Sequence, residues 1–312
     1  MPHIYPPANP TISGDLITIS RFLNSPALVQ RRLRTLAENR FIADVLLSGR
    51  YEVSGGSLLY EQSESIFTSK APQAVNAGAE YPRASAAPGP AALASVTKWG
   101  QDVPITDEHV TRYGRRAVDV SLLKISNYLV KQVDTIALAA IAAAVTQTQA
   151  VVAAWTNTTT DNILLDIMLA VAQIEARDQG YEPDTLVTTD EGYARITADR
   201  NIIAGLTRES NNSPTIGGVD ALTLIGSLRP MATNNLPAGV RAMVLDSTML
   251  GGLAYERIQS PEYAGDPANS VESWTRRDPD ANDQWIVRGR RPVVPVVQEP
   301  NAACVITGTG LA

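Results

Sequence analysis

The strongest constraint in this sequence is a stripe of apolar side chains that recurs every three or four residues along one long segment. It consists of Val118, Leu122, Ile125, Leu129, Val133, Ile136 and Ala140. Because an α-helix turns once every 3.6 residues, this spacing places them all on one helical face. The pattern predicts a helix from about residue 117 to residue 148, longer than the usual globular helix. A helix of this kind typically forms the backbone of a domain.

The segment before this helix changes character several times. Four prolines within the first ten residues predict an extended arm, because proline fixes φ and removes a hydrogen-bond donor. Ser25 is a good N-cap, and the apolar spacing that follows predicts a helix over 25–49, ended by Gly49. Two short strand-like runs, 50–53 and 58–61, flank a Gly-Gly pair and predict a hairpin.

Residues 62–90 are rich in Ala, Ser, Pro and Gly, and they show no apolar periodicity. A segment with so few large apolar residues cannot bury a core of its own. It is either an arm that contacts another molecule or a disordered surface loop. A strand predicted around 96–103 connects it to the long helix.

The carboxy-terminal half alternates one more helix with short strands. Asp161 or Asn162 can cap a second helix, which Gly180 would end. Short strand patterns follow at 185–188, 222–225, 242–246, 285–288, 293–297 and 304–307. Long helices early and short strands late predict the α+β class.

The composition argues against several functional classes. The net charge of -6 disfavours a dedicated nucleic-acid binder, which needs an excess of Lys and Arg. The two histidines, His3 and His109, have no metal-ligand spacing, and no phosphate-binding glycine motif is present. The single Cys304 fits a small buried side chain. The sequence therefore predicts no catalytic, cofactor or metal site, no membrane partner and no enzymatic activity.

The order of the elements resembles the major capsid fold of tailed bacteriophages, named for the coliphage HK ninety-seven. Several segments resemble, in their residue sequence, the capsid proteins of phages that infect actinobacteria. These segments are 31–43, 78–82, 99–108, 130–138 and 305–308. The likeness spans nearly the whole chain.

The resemblance implies a division of the chain into the family's parts. An N-arm would cover residues 1–24, followed by the amino-terminal helix over 25–49. An extended loop, the E-loop, would cover 50–96. The P-domain would combine 97–154, with its long spine helix, and 272–312. The A-domain would cover 155–271.

The resemblance also implies a mechanical function. Copies of the chain would self-assemble into pentamers and hexamers of an icosahedral phage head around double-stranded DNA, in the cytoplasm of the host bacterium. The expected partners are the chain itself, a separate scaffolding protein, a portal, a decoration protein and packaged DNA contacted without sequence specificity. Some members join an E-loop lysine to a neighbouring asparagine, and Lys70 and Asn282 are the candidates here.

Two other interpretations remain open at the level of sequence. An encapsulin-type nanocompartment shell has the same fold and would enclose cargo enzymes in a cell. An unrecognised cytoplasmic enzyme is the alternative from a different class. Particle formation would separate a shell protein from an enzyme, and the contents of the particle would separate the two kinds of shell.

Overall fold

The computed structural model describes residues 19, 22–37, 41–86, 88–157, 162–199, 202, 228–268, 270–278 and 283–311. Most of the predicted N-arm and the strand predicted at 222–225 lie outside these residues. The helices are α1 Pro26–Ala37, α2 Ala43–Leu46, α3 Asp107–Tyr113, α4 Arg115–Ala144, α5 Ile163–Glu175 and α6 Asp190–Ala198. The strands are β1 Gly49–Val53, β2 Ser57–Glu61, β3 Ala91–Ser95, β4 Thr97–Thr106, β5 Thr148–Ala150, β6 Thr185–Thr188, β7 Arg229–Ala232, β8 Ala242–Leu245, β9 Gly251–Glu256, β10 Glu272–Arg277, β11 Gln284–Val297 and β12 Ala303–Thr307.

The predicted long helix is α4, with 30 residues. Its first five stripe residues, from Val118 to Val133, are buried, as the spacing predicts. Near the carboxyl end the buried face shifts by one position, so Ala137 and Ile141 are buried while Ile136 and Ala140 are half exposed. Steps of four residues overshoot a 3.6-residue turn, so the buried face drifts around the helix. The end of α4 shares its buried cluster with the second sheet.

The predicted helix over 25–49 is instead two helices, and Gly49 begins strand β1. Val29 and Leu33 are buried as predicted, but Phe41 lies outside a helix and Val45 is exposed. Tertiary contacts explain the break. The guanidinium of Arg291 lies 4.5 Å from the centre of the Phe41 ring, and polar contacts hold the start of α2.

The predicted hairpin of 50–53 and 58–61 is wrong in its pairing. Strand β1 pairs in parallel with β9, and β2 pairs in antiparallel with β3. Val53 explains the choice, because it is buried in a cluster with Ala254 and Val296. Gly55 and Gly56, at φ values of 92° and 79°, turn the chain away from β1 rather than back along it.

The first sheet is organised around β11, the longest of its strands. Residues 285–290 of β11 pair with β4 on one edge and β10 on the other, and its carboxyl end pairs with β9. The sequence predicts two strands here, yet Pro292 and Pro295 lie within one continuous strand. Helix α4 packs closely on this sheet at Gly289, where an added Cβ would lie 2.7 Å from Cγ2 of Ile125.

The second sheet has the order β5-β12-β8-β6-β7 within the described residues. Helix α5 packs on it through Ile163, Ile167 and Ile174, which are fully buried. Asp166 is also fully buried in this helix and accepts hydrogen bonds from Trp155 Nε1 and the backbone N–H of Val152. The strands predicted at 185–188, 242–246 and 304–307 are confirmed.

Candidate assembly surfaces

Strands β2 and β3 form a two-stranded ladder that carries the loop 62–90, and together they are called the loop arm. Leu59 pairs with Leu93 across the ladder, and these side chains are 72% and 67% exposed. The opposite face packs on the body through Leu58 and Ala94. Neighbouring side chains in a strand point to opposite faces, so one face of the arm binds the body and the other presents leucines to solvent.

The loop itself exposes three further large apolar side chains. Ile66, Phe67 and Tyr81 are 62%, 60% and 79% exposed. Aromatic residues are enriched where proteins bind one another. Because the loop buries almost nothing within its own subunit, these side chains indicate a contact surface for another molecule.

Residues 62–66, where the loop begins, are called its foot, and hydrogen bonds connect them to the body. The amide of Gln62 donates to the carbonyl of Val297, and the backbone N–H of Ser63 donates to the carbonyl of Gln298, both at 2.9 Å. The backbone N–H of Ile66 donates to Gln179 Oε1 at 3.1 Å. The arm therefore leaves the body in a defined direction.

A carboxylate strengthens this foot. Glu299 accepts a hydrogen bond from the backbone N–H of Glu64 at 3.2 Å and another from the hydroxyl of Tyr181 at 2.9 Å. Burial, together with the hydrogen bond to Glu299, raises the pKa of Tyr181. The tyrosine therefore stays protonated and remains a donor at neutral pH.

A partly buried charge cluster joins the amino-terminal segment to the body. Asp44 accepts hydrogen bonds from Arg291 at 2.7 Å and from Arg50 at 3.1 Å. Beside it, Asp134 of α4 accepts the backbone N–H of Ala43 at 3.0 Å. Burial raises the pKa of Asp134 to about 6, against the opposing effect of its backbone donors. This cluster fixes α2 between α4 and β11, and sequence reasoning missed it.

The structure places one of the two residues that the sequence singles out for a covalent bond between copies. Lys70 is exposed in the loop, and Asn282 lies outside the described residues. Burial raises the pKa of the Cys304 thiol to about 11, which keeps it protonated. Among the described residues, no cluster of His, Cys, Asp and Glu is placed to hold a metal ion. No helix in the described ranges is long and apolar enough to span a bilayer.

A family model described as phage capsid protein matches residues 90–306. No curated protein matches the sequence significantly. The chain is similar to a virus-like particle from Pyrococcus furiosus, with 11% identity and a TM-score of 0.56 over 89% of this chain and 97% of that one. It is also similar to the capsid of cyanophage P-SCSP1u, with 11% identity and a TM-score of 0.58 over 86% and 88%. It is similar as well to a solved structure from Microbacterium phage Oxtober96, with 13% identity and a TM-score of 0.55 over 86% of this chain and 91% of that one.

A packed body that presents an arm without a core of its own, on a fold found in capsids and virus-like particles, defines a class of shell-building proteins. The chain belongs to the phage capsid protein family, whose model covers well over half of it. The predicted α+β fold, the major capsid fold of tailed phages, is confirmed. Family and fold indicate a structural protein rather than a catalytic one.

Proposed function

We propose that this chain is the major capsid protein of a tailed phage and assembles into the pentamers and hexamers of an icosahedral head that holds double-stranded DNA. The observation that carries the proposal is the loop arm, which exposes Leu59, Leu93 and Tyr81 while one face of its ladder is bound to the body. A neighbouring copy that covers these side chains would remove apolar surface from water. Closed symmetry then multiplies each such contact over the whole shell.

The same proposal assigns the parts of the chain. Residues 1–24 are the N-arm and 50–96, which include the loop arm, are the E-loop. Residues 97–154 and 272–312 form the P-domain, supported by the packing of α4 on β4 and β11. Residues 155–271 form the A-domain. Two strands pair across the boundary between these two domains. Strand β9 of the proposed A-domain joins the first sheet, and β12 of the proposed P-domain joins the second.

The proposed partners follow from that role. Assembly takes place in the host cytoplasm with a separate scaffolding protein, a portal closes one vertex, and a decoration protein binds the finished shell. The packaged DNA is contacted without sequence specificity, and no cofactor is needed. The net charge of -6 supports weak contact with DNA rather than tight binding.

A covalent bond between Lys70 and Asn282 of neighbouring copies is part of the proposal. What supports it is the exposed position of Lys70 in the loop. If the bond forms, denaturing gels of mature particles show ladders above the monomer mass, and Lys70→Arg abolishes them. A single monomer band from mature wild-type particles contradicts this bond and leaves the shell function intact.

A nanocompartment shell that encloses cargo proteins is the second candidate, favoured by the likeness to a virus-like particle from Pyrococcus furiosus. The phage family match favours the first candidate. The purified chain, alone and together with its proposed scaffolding protein, is examined by sedimentation and negative-stain microscopy. Shells, tubes or capsomers are expected. A strictly monomeric product under both conditions contradicts both candidates, and enclosed protein instead of DNA selects the second.

A further inference from the structure

A polar recess of about 310 Å³ lies on the first sheet, on the face turned away from α4. It is lined by Lys98, Gln101, Asp102, Tyr263, Arg288 and Arg290. Lys98, Gly100 and Asp102 lie on the same face of β4. In the register of β4 and β11, Arg288 is opposite Asp102 and Arg290 is opposite Gly100. Side chains two residues apart in a strand share a face, so this arrangement gathers three cations on one surface.

Arg288 is held from several directions. Its Nη2 lies 2.6 Å from Asp102 Oδ2, and its Nη1 donates to the hydroxyl of Tyr263 at 3.0 Å. Its guanidinium also lies 4.8 Å from the centre of the Trp274 ring. The indole N–H of Trp274 is in turn fixed by Glu262 at 2.9 Å. A guanidinium held in this way is preorganised and loses little freedom when it binds a partner.

Arg290 lies deeper, with a side chain only 6% exposed. Its Nε donates to Glu272 Oε2 at 2.6 Å, and its guanidinium lies 3.4 Å from the centre of the Tyr263 ring. Its Nη2 is buried and has no hydrogen-bond partner among the described residues. The opposite position in β4 is Gly100, where an added Cβ would lie 3.0 Å from Cβ of Arg290, so a side chain there would crowd this arginine.

Of the three cations that line the recess, Lys98 is the one without a carboxylate partner. Arg288 is matched by Asp102, and Arg290 is matched by Glu272. Lys98 is exposed and makes no hydrogen bond or ion pair with any described residue. A single unpaired lysine fits one carboxylate better than it fits the repeated phosphates of a nucleic acid. Arginine and aromatic side chains in one preorganised patch are also typical of the residues that dominate protein interfaces.

We propose that this recess binds a carboxylate of a second copy of the chain, namely Glu80 at the outer end of the loop arm. The inference rests on the proposed shell function. Glu61 and Glu64 lie near the foot of the arm, whereas Glu80 is distant from it in sequence and 80% exposed. Its one ion pair is with Arg83 at 3.4 Å, and that arginine is 91% exposed, so the pair competes weakly with a partner.

The residue next to Glu80 supports the proposal that this part of the loop arm binds in the recess. Tyr81 is 79% exposed and brings an aromatic ring beside the carboxylate. The Tyr81 ring can stack on Arg288 and Tyr263 of the recess while Glu80 pairs with Lys98. Within one subunit Glu80 pairs with Arg83 and not with Lys98, so the proposed contact with the recess is made by the loop arm of another copy.

A charge exchange tests the pairing. Glu80→Lys and Lys98→Glu should each lower the yield of particles at least about tenfold, because each places like charges together. The double variant should recover most of the wild-type yield, since the pair is restored with reversed sign. Lys124→Glu, on the exposed face of α4, is the matched control and should assemble normally. Melting of the unassembled subunits confirms that each variant folds.

The outcomes separate this inference from the shell function. If the wild type assembles and both single variants assemble equally well, the pairing is wrong and the shell function stands. A double variant no better than the worse single variant also contradicts the pairing. Normal particles of Lys98→Glu that hold less DNA would show that the recess binds nucleic acid instead, which overturns the proposal.

A second measurement does not depend on assembly. A peptide of residues 76–85, added to unassembled subunits, should change the tryptophan fluorescence, because Trp274 lies beside Arg288. The change should be lost with a Glu80→Lys peptide and regained when that peptide meets the Lys98→Glu subunit. Identical responses to both peptides would contradict the proposed site, whether or not shells form.

Discussion

Arg291 Nη2 lies 2.7 Å from Asp44 Oδ1, although 247 positions separate the two residues. The arginine side chain is fully buried, and the same guanidinium lies over the ring of Phe41. This pair joins the short helix α2 to strand β11. It therefore ties the amino-terminal segment to the sheet that carries the long helix.

Removal of Arg291 should destabilise the subunit strongly. In Arg291→Met, Asp44 keeps Arg50 but loses its buried partner, and Asp134 loses a nearby positive charge. Breaking a fully buried ion pair from one side costs about 3–5 kcal/mol. Because Asp44 is 19% exposed and keeps Arg50, we expect a loss of about 2–3 kcal/mol here. Urea unfolding of unassembled subunits measures the loss. Arg257→Met, at an arginine 55% exposed, is the control and should change stability by less than about 1 kcal/mol. Equal stability of the two variants would show that the buried pair does not hold this segment.

The protonation of Asp134 should make stability depend on pH. Its folded pKa is about 6, above the value near 3.9 of an unfolded aspartate, because burial disfavours the charged form. Between about pH 4 and pH 6 the folded state therefore binds more protons than the unfolded state. The contribution of Asp134 to the free energy of unfolding is therefore greatest below about pH 4. It falls by up to about 3 kcal/mol as the pH rises to 6.

Asp134→Asn removes this titration, while the amide oxygen can still accept the N–H of Ala43. Urea unfolding from pH 4 to pH 8 should show the variant gaining stability over the wild type as the pH rises to 6, with a constant difference above that. A difference that stays constant over the whole range would mean that Asp134 is charged throughout.

Close packing between α4 and β11 should make Gly289 intolerant of a side chain. In Gly289→Ala the new Cβ would lie 2.7 Å from Ile125 Cγ2 and 3.0 Å from Leu129 Cδ1. Overpacking of this kind costs about 1–3 kcal/mol. Unfolding of Gly289→Ala, Ile125→Ala and the double variant forms a cycle. The double variant should lose less stability than the two losses added together, and strict additivity would contradict the contact.

The sequence predicts the parts of this fold that depend on local periodicity. The stripe from Val118 to Val133 and the short strand at 185–188 lie where the spacing places them. The stripe is predictable because its spacing matches the period of an α-helix, and the strand is predictable because it is a short run rich in β-branched residues.

Other features depend on partners that are distant in sequence. Strand β1 pairs with β9 rather than with its neighbour β2, and nothing in residues 50–61 specifies that choice. The break before α2 likewise follows from contacts of Phe41 and Asp44 with Arg291, three residues that look ordinary on their own. The recess at Arg288 depends on strand register, so a single sequence does not reveal it.

Assembly of the loop-shortened chain tests the central claim most directly. Replacing residues 67–86 by a short Gly-Ser linker keeps the bonded foot at Gln62–Ile66 and the ladder of β2 and β3. It removes Phe67 and Tyr81, which bury little within the subunit, so the variant should stay soluble and melt like the wild type.

Negative-stain micrographs of the wild type and this variant, prepared side by side with the same scaffolding protein, give the measurement. The wild type should form closed shells. The shortened variant should remain as folded subunits or open fragments, because it lacks the exposed surface that is proposed to contact other copies. Closed shells of normal size from the shortened variant would contradict the assignment of the loop arm as the element that joins the subunits.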